Sequence, residues 1–151
     1  MSLTSLINQS KALFLDTAPL IYFVEAHPVY GEMVKQVITS CTQKKILIVS
    51  SVITLHEVMV RPYRDANILL AEKFAAFLKN SRSLRMLTIS EEISELAAKL
   101  RGDYHWLKLA DALQIASALD AGADFFLTND KQLKQISEIQ VVVLDDWRGR
   151  A

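Results

Sequence analysis

Five short apolar runs alternate along this chain with longer segments of helical spacing, and that alternation limits the folds open to it. The runs are Ala12 to Asp16, Ile46 to Ser50, Met86 to Ile89, Phe125 to Thr128 and Val141 to Leu144. Each has strand length and is nearly unbroken in hydrophobicity, which suits a strand covered on both faces. Between them Tyr30 to Thr42, Val52 to Arg61, Asp65 to Asn80, Glu91 to His105 and Leu109 to Ala121 carry apolar residues three and four apart, the spacing of a helix face. With a short helix over Lys131 to Ile136 the order reads β, α, β, α, α, β, α, α, β, α, β. Helices that separate buried strands imply right-handed crossovers, so the expected class is α/β, a three-layer α/β/α fold around a largely parallel sheet. Boundary residues point the same way. Ser90 is an N-cap ahead of Glu91 and Glu92, Pro62 stops the helix begun at Val52, Gly122 follows a helix as its C′ residue, and Pro19 suits the first position of another.

A chain of 151 residues fits one domain spanning 1–151, long enough to bury about two thirds of its unfolded surface. Only 4 Gly and 3 Pro stand against 51% hydrophobic residues, which leaves little room for a disordered linker. Cys41 has no partner for an internal disulfide and reads as a small buried hydrophobe. Met1 to Leu15 lacks a basic segment followed by a long apolar one, and no stretch approaches the ~20 apolar residues of a membrane span, so a cytoplasmic location is expected. The 17 basic and 17 acidic side chains cancel. That counts against a general nucleic-acid coating protein but little against an enzyme whose bound metal ions supply positive charge.

In an open parallel sheet the working crevice lies beyond the carboxyl ends of the strands. Asp16 closes Ala-Leu-Phe-Leu-Asp, and Asp130 follows Phe-Phe-Leu-Thr-Asn, so both acids belong at such ends. Asp111 shares a helical stripe with Ile115, Ala118 and Leu119, and Glu57 lies between Ile53 and Val60 on another. A carboxylate on an apolar face costs several kcal/mol unless a cation or hydrogen-bond donors meet it. Singly, each acid has an ordinary reading: Glu57 paired with Arg61, Asp111 beside Lys108, Asp16 as an N-cap before Pro19, Asp130 as the cap of the helix after it. Together at one rim they repel each other unless cations compensate. Mg²⁺ or Mn²⁺ suits oxygen ligands and keeps waters, and phosphodiester hydrolysis is a common use of such a site. Asp16, Asp111 and Asp130 are expected as direct or water-mediated ligands, and Glu57 as a ligand or a base orienting the attacking water.

Other chemistry finds no support. Glu72, Glu91, Glu92 and Glu95 sit where solvated helix acids belong, His56 has no second histidine four residues on, and His27 and His105 have no catalytic partner in sequence. A Gly-x-Ser-x-Gly elbow and a Gly-rich phosphate loop are both missing. Arg82, Arg85, Arg101, Lys108 and Lys131, with Tyr104 and Trp106, are candidates for an RNA path, although scattered charges and helix-end aromatics more often serve solvation and packing.

The ordered set Phe14-Leu15-Asp16-Thr17-Ala18-Pro19, then Thr54-Leu55-His56-Glu57-Val58, then Leu109-Ala110-Asp111-Ala112-Leu113-Gln114-Ile115-Ala116, then Leu127-Thr128-Asn129-Asp130 resembles the PIN domain, including the VapC-type toxins. The resemblance runs from about residue 12 to residue 145. It implies a five-stranded parallel sheet and a Mg²⁺ or Mn²⁺ dependent endoribonuclease cleaving single-stranded RNA. It also implies the toxin role of a toxin–antitoxin pair, with an antitoxin partner and a homodimer. Thr128 matches a hydroxyl residue that helps hold the last acid or the phosphate, and Thr17 follows the first acid in the same capacity. Ala18 stands where relatives often carry Ser. The apolar face of the Asp65 to Asn80 helix, with Leu69, Phe74, Phe77 and Leu78, is a candidate for an antitoxin or a second subunit, or for the neighbouring helix. The alternative function is a catalytically inert module of the same fold that binds RNA or a protein. A phosphoryl-receiver reading fails because the adjacent acids Asp145 and Asp146 follow the last strand instead of the first.

Overall fold

The structure is a computed structural model and describes residues 1–150. Five parallel strands, β1 (Ala12–Leu15), β2 (Leu47–Ser51), β3 (Leu84–Leu87), β4 (Phe125–Thr128) and β5 (Gln140–Val143), form one sheet in the order β3-β2-β1-β4-β5. Register is set by pairs such as Phe14 with Val49 and with Phe126. The chain steps outward in one direction from β1 through β2 to β3, then returns to place β4 on the other side of β1. That reversal opens a crevice over the carboxyl ends of β1 and β4. The three-layer parallel fold expected from the sequence is present.

Helices α1 (Leu3–Ile7), α2 (Thr17–Val24), α3 (Gly31–Lys44), α4 (Val52–Arg64), α5 (Ile68–Asn80), α6 (Glu91–Asp103) and α7 (Leu109–Asp120) complete the layers, with short 3-10 helices at Lys131–Gln135 and Leu144–Trp147. Residues alternate along each strand between two cores. Leu13, Leu15, Ile48 and Leu127 face α1 to α5, meeting Leu20, Val34, Val58, Phe74 and Leu78. Phe14, Val49 and Phe126 face α6 and α7, meeting Ile93, Leu100, Ala112 and Ile115. The Phe14 and Phe126 rings stack across β1 and β4 with centroids 5.1 Å apart and planes 4° from parallel, which fixes the two strands that flank the crevice.

Several boundaries differ from the sequence expectation. β3 lies two residues before Met86 to Ile89, because Leu84 pairs with Ile48 and is buried while Ile89 packs beyond the sheet. α1 was not legible, being barely over one turn, and α2 was legible only at its start, through Asp16 and Pro19, because it reads Thr-Ala-Pro-Leu-Ile-Tyr-Phe-Val, with no polar face to reveal a period. Pro19 is the third residue of α2, where the N–H is an orphan in any helix. Pro62 does not stop α4 but lies inside it, buried, costing only one bond of the closing turn. Ser90 accepts from the Ile93 N–H at 3.2 Å, and Gly122 follows α7 at φ 71°, both in the roles their sequence positions suggest. Cys41 is buried, and burial pushes its thiol up to about 11, so it stays protonated and inert at neutral pH. The apolar face of α5 is largely used internally. Phe74 and Leu78 are buried, Phe77 packs on Phe23 of α2 at 5.3 Å, and Leu69, 80% exposed, is left outside. No helix among the described residues is long and apolar enough to cross a membrane.

Candidate active site

The crevice over β1 and β4 holds a cavity of about 470 Å³ whose wall includes Asp16, Thr17, Glu57, Asp111, Thr128 and Asp130. Four acids far apart in sequence reach it from four elements. Asp16 leaves the end of β1 and stands at the N-cap of α2. Asp130 follows β4, Glu57 lies in the second turn of the helix after β2, and Asp111 lies in the first turn of the helix before β4. Each is placed by a strand end or the helix adjoining it, so the site follows directly from the sheet order.

Burial divides the four. Asp16 is only 9% exposed. Desolvation raises its carboxyl from 3.8 to about 6; the Thr128 hydroxyl and the Thr17 backbone N–H oppose that shift, and the charges of Asp111 and Glu57 add to it. Asp111 is half-buried, and its carboxyl is raised by desolvation first and then by Asp130 and Glu57, with Lys108 acting against them. Glu57 is exposed, which corrects the reading that places it on a buried face. The buried line of α4 runs through Thr54, Val58 and Pro62, one residue round from Glu57. Asp130 is exposed as well.

The ordinary partners suggested for these acids are mostly absent. Asp16 occupies an N-cap position but makes no side-chain cap bond, and its Oδ2 accepts instead from Thr128 Oγ1 at 2.8 Å across the two central strands. Arg61 turns away from Glu57 to Asp65, 3.7 Å off and solvated. Glu57 Oε1 accepts from Thr17 Oγ1 at 2.8 Å. Asp130 does cap the following 3-10 helix, accepting from the Gln132 N–H at 3.0 Å, while its own N–H donates to Thr128 Oγ1 at 3.1 Å. Thr128 thus joins the first acid to the last, and Thr17 serves Glu57. Both hydroxyls hold carboxylates.

Two sets of residues around the cavity escaped the sequence reading. Asn129 accepts from the Asp145 N–H at 3.0 Å and donates to Tyr22 Oη at 3.3 Å, tying the strand end to the carboxy-terminal turn. Asp145 also accepts from Tyr30 Oη at 2.6 Å and pairs with Lys131 at 3.1 Å, and the hydroxyl and the cation lower its carboxyl. Lys131, a candidate for an RNA path, is engaged there. Arg101 likewise donates to the Leu107 carbonyl at 3.1 Å, and Tyr104 Oη bonds Glu138 at 2.7 Å. The second set is Ser51, Thr54 and Gln114, all buried behind the cavity. A glutamine three residues after Asp111 in an otherwise apolar stretch was the available signal for it.

Among the described residues, no three His, Cys, Asp or Glu side chains are gathered closely enough to hold one ion directly. The four carboxylates share a cavity without closing into a cage.

Fold and site define a three-layer α/β protein with a carboxylate crevice at the switch point of its sheet. The chain belongs to the PIN domain family, whose model matches residues 13–139. No curated protein matches it. Among solved structures it is similar to a toxin–antitoxin complex from Klebsiella pneumoniae, with 26% identity, a TM-score of 0.64 and coverage of 88% of this chain and 97% of that one. It is also similar to VapBC2 from Rickettsia felis bound to a fragment of promoter DNA, with 19% identity, a TM-score of 0.69 and coverage of 87% and 98%. A third is VapC20 from Mycobacterium tuberculosis, a toxin that cleaves the sarcin-ricin loop, with 19% identity, a TM-score of 0.61 and coverage of 76% and 86%.

Proposed function

We propose that the chain, acting as one nuclease unit over residues 1–151, is an endoribonuclease that hydrolyses phosphodiester bonds of single-stranded RNA with Mg²⁺ or Mn²⁺ held at Asp16, Glu57, Asp111 and Asp130. One observation carries this reading: four carboxylates from four separate elements line one cavity, and the most buried of them is raised in pKa by desolvation first and then by the neighbouring acids. An all-oxygen donor set beside a desolvated carboxylate suits a hard divalent ion. The spread of the acids suits an ion that retains several of its waters.

A bound ion would polarise the scissile phosphate and offset charge on the leaving oxygen. The protein's residues do the placing. Asp16, fixed by Thr128, and Asp111, on the first turn of α7, are the inner ligands. Asp130, held through its backbone by Thr128, completes the rim beside β4. Glu57 is exposed to the solvent that supplies the nucleophile and is held by Thr17, which suits a base that orients the attacking water. We read the protein as the toxin of a cytoplasmic toxin–antitoxin pair and as a homodimer, a reading supported by family membership and by likeness to toxin–antitoxin complexes.

The test is cleavage of unstructured RNA by the purified protein. Cutting is expected with Mn²⁺ or Mg²⁺, none with chelator, and a loss of at least about a hundredfold in Asp16→Asn and Asp111→Asn. Metal-independent RNA binding without cleavage would overturn the enzyme reading in favour of the inert module.

A further inference from the structure

Behind the cavity a line of neutral side chains crosses from the start of α4 to α7, back to α4 and on to α2. Ser51, the N-cap of α4, accepts from the Ile53 N–H at 3.1 Å and donates its one hydroxyl proton to Gln114 Oε1. Gln114, 1% exposed, donates from Nε2 to Thr54 Oγ1 at 2.5 Å. Thr54 Oγ1 lies 3.2 Å from Thr17 Oγ1, and Thr17 Oγ1 donates to Glu57 Oε1. A threonine hydroxyl carries one proton. Since that of Thr17 goes to Glu57, Thr54 must be the donor in the threonine pair, and Thr54 is free to donate because Gln114 fills its acceptor side. The chain therefore has one direction, from Ser51 to Glu57.

The orientation of the Gln114 carboxamide sets that direction. With oxygen and nitrogen exchanged, Thr54 would have to donate to Gln114, and Thr17 would have to donate to Thr54 and release Glu57. Ser51 would then accept twice and its proton would lose its partner. The observed orientation satisfies every member, and among the described residues no buried side-chain nitrogen or oxygen lacks a partner.

We propose that Gln114 is a positioning residue of the site: its buried carboxamide fixes the polarity of the Ser51–Gln114–Thr54–Thr17 chain and thereby holds the Glu57 carboxylate in place. The same carboxamide joins α7, one turn beyond Asp111, to α4, which carries Glu57, so it also sets the spacing of those two acids. The catalytic part of this inference rests on the reading of Glu57 as a member of a hydrolytic site.

Two measurements test it. In ¹⁵N-labelled protein, Thr17→Val at the open end of the chain is expected to shift the side-chain amide resonances of buried Gln114, while Thr17→Ser leaves them near their original place. Unmoved resonances in Thr17→Val would overturn the chain itself, whether or not the protein cuts RNA. In cleavage assays Gln114→Met and Thr54→Val are expected to lower kcat about tenfold to a hundredfold with KM little changed, the worth of a hydrogen bond to a charged group. Thr54→Ser should restore kcat, and Gln114→Met should cost nothing further when added to Glu57→Gln. Equal losses in the presence and absence of Glu57, or an unchanged kcat in both variants, would overturn the positioning role. If the parent cuts no RNA the proposed function fails, and the resonance test still decides the chain.

Discussion

At the scale of single residues the tension in this molecule is concentrated at Asp16. It lies at the centre of the sheet's carboxyl edge, desolvated, with one hydroxyl donor and other acids around it. Its folded-state pKa of about 6 lies above the ordinary value of 3.8. A raised carboxyl pKa means that the folded chain binds the proton more tightly than the unfolded chain. The associated stability is therefore fully present below the unfolded value and is lost as pH rises through the folded one. In metal-free protein near neutral pH the ionised Asp16 thus costs about 3 kcal/mol. Asp16→Asn, its neutral counterpart, should be more stable than the parent by that order in chelator at about pH 8 and no more stable near pH 3. Thermal unfolding at the two pH values measures the difference, and an equal gain at both would show that burial, not ionisation, is the cause. Thr128→Val acts in the opposite sense. It removes the donor that favours the charged form, so Asp16 should titrate higher still, which carboxyl-detected NMR would follow.

At the scale of elements, two helix caps allow the proposed role of the hydroxyl chain to be told apart from capping alone. Ser51 and Ser90 each receive a backbone N–H at the start of a helix, α4 and α6. Replacing Ser90 by alanine should lower stability by about 1 kcal/mol, and replacing Ser51 should cost more, because the buried Gln114 oxygen also loses its donor. Ser51 alone also donates to Gln114, so Ser51→Ala should in addition lower RNA cleavage, while Ser90→Ala should leave cleavage per folded molecule unchanged. Denaturant midpoints paired with initial rates decide it. The sequence was most informative where an element had two unlike environments. The cap at Ser90 and the turn at Gly122 were legible because their chemistry is local. Helix α2, apolar nearly all round and packed mainly on α3, gave no contrast to read, and the depth of Glu57 was misjudged because the buried line of α4 is fixed by Thr54 against Gln114, a contact 60 residues away in sequence. The four acids were nameable one by one, since each closes a strand or adjoins one. Their sharing of a single cavity depends on the β1 and β4 pairing, which no local pattern encodes.

At the scale of the whole molecule, the balance of 17 basic and 17 acidic side chains bears on how the proposed RNA substrate would be held. A chain with no net charge gains little from long-range attraction to phosphates, and here the crevice itself is acidic. Affinity for the proposed substrate would then come from a few local contacts and from ions held at the acids. On the proposed function, metal loading should depend on pH, because the ion would need ionised carboxylates and would compete with the proton on Asp16. The rise in melting temperature produced by a fixed Mn²⁺ concentration should grow between about pH 5 and pH 7, reaching an effect of ~2.7 kcal/mol when the ion stands at a hundred times its dissociation constant. Salt should then matter less than it does for basic RNA-binding proteins. If about two phosphates are neutralised, the slope against salt for a single strand is near −1.4, so a tenfold increase in NaCl weakens binding by about 25-fold. Fluorescence anisotropy with labelled RNA measures this in Mn²⁺, using Glu57→Gln, which spares the inner ligands and slows cutting. A loss of a thousandfold or more would correspond to about four or more phosphate contacts and would mean that the RNA follows an extended basic track, against the reading of a few local contacts.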